Sequence, residues 1–196
     1  IVNPIRIFAK DSLFGKTNIN GQSNSKGYGF NSTFTKTSTN GWYVSGQTSY
    51  KKFGDFNSPD YILTNTGSES RAFSLFTGRK EFEQGYEFYY SYLKNKIGIL
   101  RSSHIGNVED LVDGINSNQP RIIDPFSYDI SAPRQEVTHQ IFKGKYFKRF
   151  KELGKLDIQY DYQNNHRFEF DIRRGDDRNV AAIDLELKSH TLKSTL

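Results

Sequence analysis

Tyr86-Glu87-Phe88-Tyr89-Tyr90-Ser91-Tyr92 places Tyr86, Phe88, Tyr90 and Tyr92 two residues apart. Successive side chains of an extended strand point to opposite faces, so these four share one face. The pattern recurs between residues 27 and 192 as runs of about ten residues, each followed by a connection. Tyr28, Phe30 and Phe34 alternate with Gly29, Asn31, Thr33 and Thr35. Trp42, Val44, Thr48 and Tyr50 alternate with Tyr43, Ser45, Gln47 and Lys51. Asn40-Gly41 lies between these two runs and supplies the positive φ values of a hairpin turn, so the pair reads as a hairpin.

Further along, Phe76 breaks the alternation of Phe73 and Leu75 and leaves the phase of that strand open. Val137 to Phe150 forms the next strand. Leu156, Ile158, Tyr160 and Tyr162 lead through Asn164-Asn165 to Phe168, Phe170 and Ile172, and read as one very long strand. Ile183, Leu185 and Leu187 return against Asp184, Glu186 and Lys188. A weaker strand is expected over 14–22, after an arm at 1–12.

The connections alternate in length: short at 38–41, long at 52–70, short at 80–85, long at 95–134 and short at 151–154. Gly175-Asp176-Asp177 closes a tall hairpin. A soluble β-sandwich has no need for that order. A transmembrane β-barrel has short turns on one side of the membrane and long loops on the other. The fold expected is therefore all-β, an antiparallel transmembrane β-barrel over 1–196 with a long extracellular loop at 95–134. Within that loop Asn107 caps a short helix carrying Val108, Leu111, Val112 and Ile115 at helical spacing.

Composition is compatible with this reading. The chain has 196 residues, 35% hydrophobic and 15% aromatic, and its mean hydropathy of −0.71 is that of a polar chain. It holds no apolar run long enough for a membrane helix and opens with no signal-peptide pattern. Neither observation bears on a barrel, because half of each strand faces the lumen and dilutes the hydropathy. Cysteine is absent, which excludes disulfides and thiolate chemistry; Met is absent too, so a mature or internal piece of a longer chain is expected. The net charge of +5 is scattered among Asp and Glu rather than drawn into a stripe, so no nucleic-acid partner is expected.

Three stretches carry a family likeness: Ser49-Tyr50-Lys51-Lys52-Phe53-Gly54-Asp55, Gly98-Ile99-Leu100-Arg101-Ser102-Ser103-His104-Ile105-Gly106-Asn107, and Phe126-Ser127-Tyr128-Asp129-Ile130 running into Ala132-Pro133-Arg134-Gln135. Together with the hairpin-like run from Gly154 to Arg167, the chain resembles the TonB-dependent outer-membrane receptors of Gram-negative bacteria. The resemblance implies a 22-stranded barrel around an N-terminal plug, driven from the inner membrane by the TonB complex. This chain shows no TonB box or plug and lacks a terminal aromatic. It has room for about eight strands, so it is expected to be the first part of such a barrel, with the plug absent. By that resemblance it belongs in the outer membrane and imports a scarce ligand, foremost an iron-siderophore complex, with outer-membrane lipid and a surface lipoprotein as further partners. Two alternatives stand beside it: a complete small barrel acting as adhesin or anchor, and a soluble β-rich carbohydrate-binding module.

No catalytic set is expected. His104, His139, His166 and His190 lie on separate elements without metal-ligand spacing, and no metal or cofactor is expected. Asp171, Asp176 and Asp177 with Asp129 are read as part of a charged hairpin tip flanked by Arg173, Arg174 and Arg178 rather than as a calcium loop. Tyr28, Trp42, Tyr50, Tyr86, Tyr92, Tyr146 and Tyr162 are expected to form lipid-facing girdles, with a carbohydrate platform as the other reading. Arg167, Glu169, Asp171, Arg173 and Lys145 are expected to face the lumen, since Lys or Arg facing lipid at mid-membrane costs about 2–4 kcal/mol. Arg101, His104, Tyr128, Arg134 and Arg167 are the candidate ligand-binding residues, with Arg offering forked hydrogen bonds to an anionic ligand.

Overall fold

The computed structural model describes residues 11–103, 107–172 and 179–196. Eight long strands form one antiparallel sheet: β1 (Ser12–Gln22), β2 (Gly27–Thr37), β3 (Trp42–Phe53), β6 (Ser68–Lys80), β7 (Gln84–Gly98), β8 (Arg134–Phe150), β9 (Gly154–Phe170) and β10 (Ile183–Thr195). They lie side by side in chain order, each hydrogen-bonded to the next. Between β3 and β6 a small separate hairpin pairs β4 (Phe56–Asn57) with β5 (Ile62–Leu63). The expected helix is present as α1 (Val108–Asn116), and the Oδ1 of Asn107 accepts a hydrogen bond from Asp110 N at 2.7 Å.

The sheet is open: among the described residues β1 and β10 are its edges and do not pair with each other. The all-β antiparallel architecture stands, and these eight strands do not close a barrel. Several boundaries differ from the sequence reading. The strands invade the predicted loops, because alternation continues in polar residues beyond the last aromatic. β7 runs to Gly98 and β8 starts at Arg134, which shortens the connection to 99–133. The 52–70 connection shrinks to 54–67, and β1 begins at Ser12, inside the expected arm. Residues 1–10 of that arm, and the tip holding Arg173, Arg174, Asp176, Asp177 and Arg178, lie outside the described residues.

Register decides what each face carries. Tyr86 lies opposite Arg79 and Tyr146; Tyr90 lies opposite Leu75 and Phe142. Followed across the sheet, Tyr28, Trp42, Tyr50, Tyr86, Tyr92, Tyr146 and Tyr162 all fall on one face. On this aromatic face a band without Asp, Glu, Lys or Arg crosses all eight strands. In β3 it reaches from Trp42 to Tyr50, roughly 26 Å at about 3.3 Å per residue. Charges border it on both sides: Lys36, Arg79 and Lys148 toward the short turns, and Lys52, Arg71 and Lys94 toward the long loops.

The opposite, polar face carries Lys143, Lys145, Asp157 and Asp161 at the level of the band, paired as Lys143–Asp161 at 3.3 Å and Lys145–Asp157 at 3.5 Å. Phe76, whose phase the sequence left open, belongs to this face and packs on Tyr43 with centroids 5.3 Å apart. Among the described residues only Tyr43 and Phe147 are buried hydrophobic side chains. A single sheet with no second layer cannot bury its own apolar side, so Phe88, Phe73 and Trp42 stay 43–47% exposed.

The turns at the short-turn end are tight. Gly41 sits at φ +84°, and a Cβ there would come within 2.4 Å of the Lys80 carbonyl oxygen, so only glycine fits. No helix among the described residues is long and apolar enough to cross a membrane.

Candidate functional site

The long connections gather at one end of the sheet, and polar side chains in the 54–67 loop fasten the 99–133 loop. Asn65, in the left-handed region at φ 65°, is the central tie. Its Nδ2 donates to the Ile99 and Pro133 carbonyls at 2.9 and 2.8 Å, and its Oδ1 accepts from Ser131 N at 2.8 Å. Asn is one of the few non-glycine residues that tolerates this backbone conformation, so one side chain both shapes its own loop and satisfies three backbone groups of the other.

Asp55 makes a second tie. Its carboxylate accepts from Thr66 N at 2.9 Å and Ser127 N at 3.2 Å, while its own N–H donates to the Ser127 carbonyl. Thr64 Oγ1 accepts from Asp124 N at 2.8 Å. Buried backbone groups must find partners, and here side chains supply them where no ladder exists. Asp55, Thr64 and Asn65 are accordingly buried. At Gly54 the Phe126 ring occupies the space a side chain would need, 2.4 Å from a built Cβ. The result is a fixed loop platform over β2, β3, β6 and β7.

The candidate ligand residues are distributed over this end rather than collected. Arg101 follows β7; its N–H donates to the Thr64 carbonyl, and its guanidinium stands 3.8 Å from Asp124. Tyr128 reaches the other side, where its OH donates to the Lys26 carbonyl at 2.7 Å and its ring lies beside Tyr28 and under Lys52. Arg134 is the first residue of β8 rather than a loop residue. It is only 9% exposed, donates to Glu136 at 2.9 Å and stacks 3.8 Å from the Phe170 ring. Arg167 lies within β9 on the polar face, opposite Val137 and Leu185, and pairs with Glu169. His104 lies outside the described residues.

Arg134 and Arg167 therefore belong to opposite faces of neighbouring strands, and Tyr128 stands near β2 and β3. Asn65, Asp55 and Thr64, which hold the platform, escaped the sequence reading. Their one local signal was a polar cluster between two strands, which marks a loop and not its partners. Asp129 donates its N–H to Ser127 Oγ, and the described residues contain no group of three or more His, Asp or Glu placed to hold a metal ion.

Fold and loop end together define a class: an antiparallel up-and-down β-sheet with one charge-free aromatic band and a loop platform at one end. No protein-family model matches the chain, and no curated protein or solved structure is significantly similar to it.

Proposed function

We propose that this chain is part of the wall of an outer-membrane β-barrel, in an importer of the TonB-dependent class that takes up a scarce ligand, foremost a ferric siderophore. The observation that carries the proposal is the charge-free band on one face of all eight strands, bordered by charges toward the short turns in β2, β6 and β8 and toward the long loops in β3, β6, β7, β8 and β10. Its length in β3 suits the apolar belt of about 25 Å that lipid requires, and in β6 the bordering Arg71 and Arg79 stand eight residues apart. Aromatic rings stand at both margins, Trp42, Tyr86 and Tyr146 at one and Tyr28, Tyr50 and Tyr92 at the other, as amphipathic rings do at the headgroup level. Among the described residues β1 and β10 do not pair with each other, so these eight strands suit the wall of a larger barrel.

In this reading the polar face lines the lumen, and the loop platform faces the exterior, where a ligand first meets the protein. Arg101 and Tyr128 are the ligand contacts the platform presents; Arg167 sits deeper on the lumen side.

The native chain has no cysteine, so single reporters test the wall directly. In vesicles, Tyr90→Cys should resist a water-soluble maleimide and react with a lipid-soluble one, while Ser91→Cys next to it should do the reverse. Equal labelling of both by the water-soluble reagent would exclude a membrane wall. For the ligand, binding of a ferric hydroxamate complex should weaken in Arg101→Ala and Tyr128→Ala; unchanged binding in both would remove the siderophore assignment.

A further inference from the structure

On the aromatic face, just beyond the band toward the loops, a shallow cleft of about 290 Å³ is lined by Glu69, Arg71, Lys94, Lys96 and Glu136. Three neighbouring strands build it. Arg71 of β6 lies directly opposite Lys94 of β7, and Lys96 lies between Glu69 and Glu136 in the next row. The row on the band side holds Phe73 and Tyr92.

Like charges directly opposite each other on adjacent strands repel and destabilise the pair. The acids present relieve this only partly. Glu69 is held by Arg71, with Nε to Oε1 at 2.6 Å, and Glu136 is held by Arg134 at 2.9 Å. Lys94 and Lys96 make no ion pair among the described residues: Arg71 and Arg134 hold the two carboxylates that flank Lys96, and the two ammonium groups keep six N–H donors. Arg71 keeps a side chain 67% exposed.

We infer that this cleft is a binding site for the phosphorylated headgroup of a lipid, with Lys94 and Lys96 as its principal contacts and Arg71 as the third. The inference rests on the membrane-wall reading and names a lipid contact for that wall. Location selects the occupant. An anion seated here stands next to Phe73, Tyr92 and Tyr50, against which acyl chains would lie, and a phosphate tethered to such chains satisfies both surfaces at once. A polybasic cluster beside a membrane attracts anionic lipid with each cation adding to the effect. The opposite margin of the band carries Lys36, Arg79 and Lys148 on separate strands, but Arg79 is there neutralised by Glu81 and the two lysines are three or more strands apart.

The test is binding of the full chain to phosphatidylcholine vesicles with and without phosphatidic acid, with insertion read separately from the emission of Trp42, the one tryptophan. The unaltered chain should prefer the phosphatidic acid vesicles by at least about tenfold. Lys94→Gln with Lys96→Gln should abolish that preference while insertion into neutral vesicles stays the same. Lys16→Gln with Lys51→Gln, which removes the same charge from the polar face, should keep it. Loss of preference in both double variants would reduce the effect to net charge and overturn the site, as would its persistence in the first. Erasure of the preference by millimolar inorganic phosphate would make the site one for free anions and overturn the lipid assignment. Insertion without any preference sinks the headgroup site alone; failure to insert into either vesicle sinks the wall reading and this inference with it.

Discussion

The short-turn half and the loop half of the sheet are made from the same strands, but in β7, β8 and β10 they divide their faces in opposite ways, while Phe168 and Phe170 of β9 stay on the aromatic face. In the short-turn half, Trp42, Phe88 and Ile158 occupy one face, and Lys143, Lys145, Asp157 and Asp161 the other. In the loop half, Lys94, Lys96, Glu136, Asp184, Glu186 and Lys188 occupy the face that was aromatic. Ile97, Val137, Leu185 and Leu187 move to the face that was polar. No bulge or register slip is needed, since strand pairing is continuous through β8 and β9; only the sequence changes phase. In the proposed wall, one face would meet an apolar medium over the band and water above it. The stabilising interactions differ too: ion pairs occur in both halves, and the loop half adds side-chain-to-backbone ties between loops.

The largest expected contrast comes from placing the same charge in both halves. Tyr90→Arg should cost about 2–4 kcal/mol of stability in a bilayer, the range for Arg at mid-membrane, whereas Thr138→Arg on the same face above the band should be nearly neutral. Denaturant unfolding in vesicles measures both; equal costs would break the comparison. Next in size is Asn65→Ala, which strips three backbone groups of their partner. It should cost about 1–3 kcal/mol and expose the 99–133 loop to proteolysis while hydrogen exchange in β7 and β8 stays slow. Faster exchange throughout the sheet would show that the platform and the sheet are one cooperative unit.

A smaller effect is expected inside the short-turn half. Tyr43 donates from its OH to Glu87 Oε1 at 2.9 Å, and Tyr43→Phe should cost roughly 1 kcal/mol without altering loop protection. The smallest belongs to Asp11, outside the strands. The Thr39 N–H and the Ser38 side chain hold its carboxyl below the usual value. A carboxyl depressed in the folded state contributes stability above its unfolded pKa of about 3.9, and that contribution fades as pH falls through the lower folded value. Asp11→Asn should therefore lower stability slightly at neutral pH, leave it unchanged at the acid extreme and so flatten the acid limb below about pH 4, as acid titration of unfolding would show.

Much of the sheet was legible from local pattern. Alternation placed Tyr28, Trp42, Tyr50, Tyr86, Tyr92, Tyr146 and Tyr162 on one face, and the structure keeps all seven there. The Asn107 cap of α1 was legible for the same reason, since its partner Asp110 lies three residues away. Phe76 was not, because the adjacent apolar residues Leu75 and Phe76 fit either phase until Tyr43 across the strand pair takes one of them. The platform was opaque throughout: Asn65 meets Ser131 and Pro133, and Asp55 meets Ser127, partners 66 to 72 residues away.

The sequence by itself determined the strands, their order of short and long connections and the identity of the aromatic face. Each follows from backbone geometry, which turns side chains over every second residue regardless of what lies beyond. The tertiary structure decided the register, and with it the opposition of Arg71 to Lys94 and the burial of Asn65 between two loops. Those depend on which strand stands beside which and on where an unpaired carbonyl comes to rest. No local pattern encodes a partner held close by the pairing of the whole sheet.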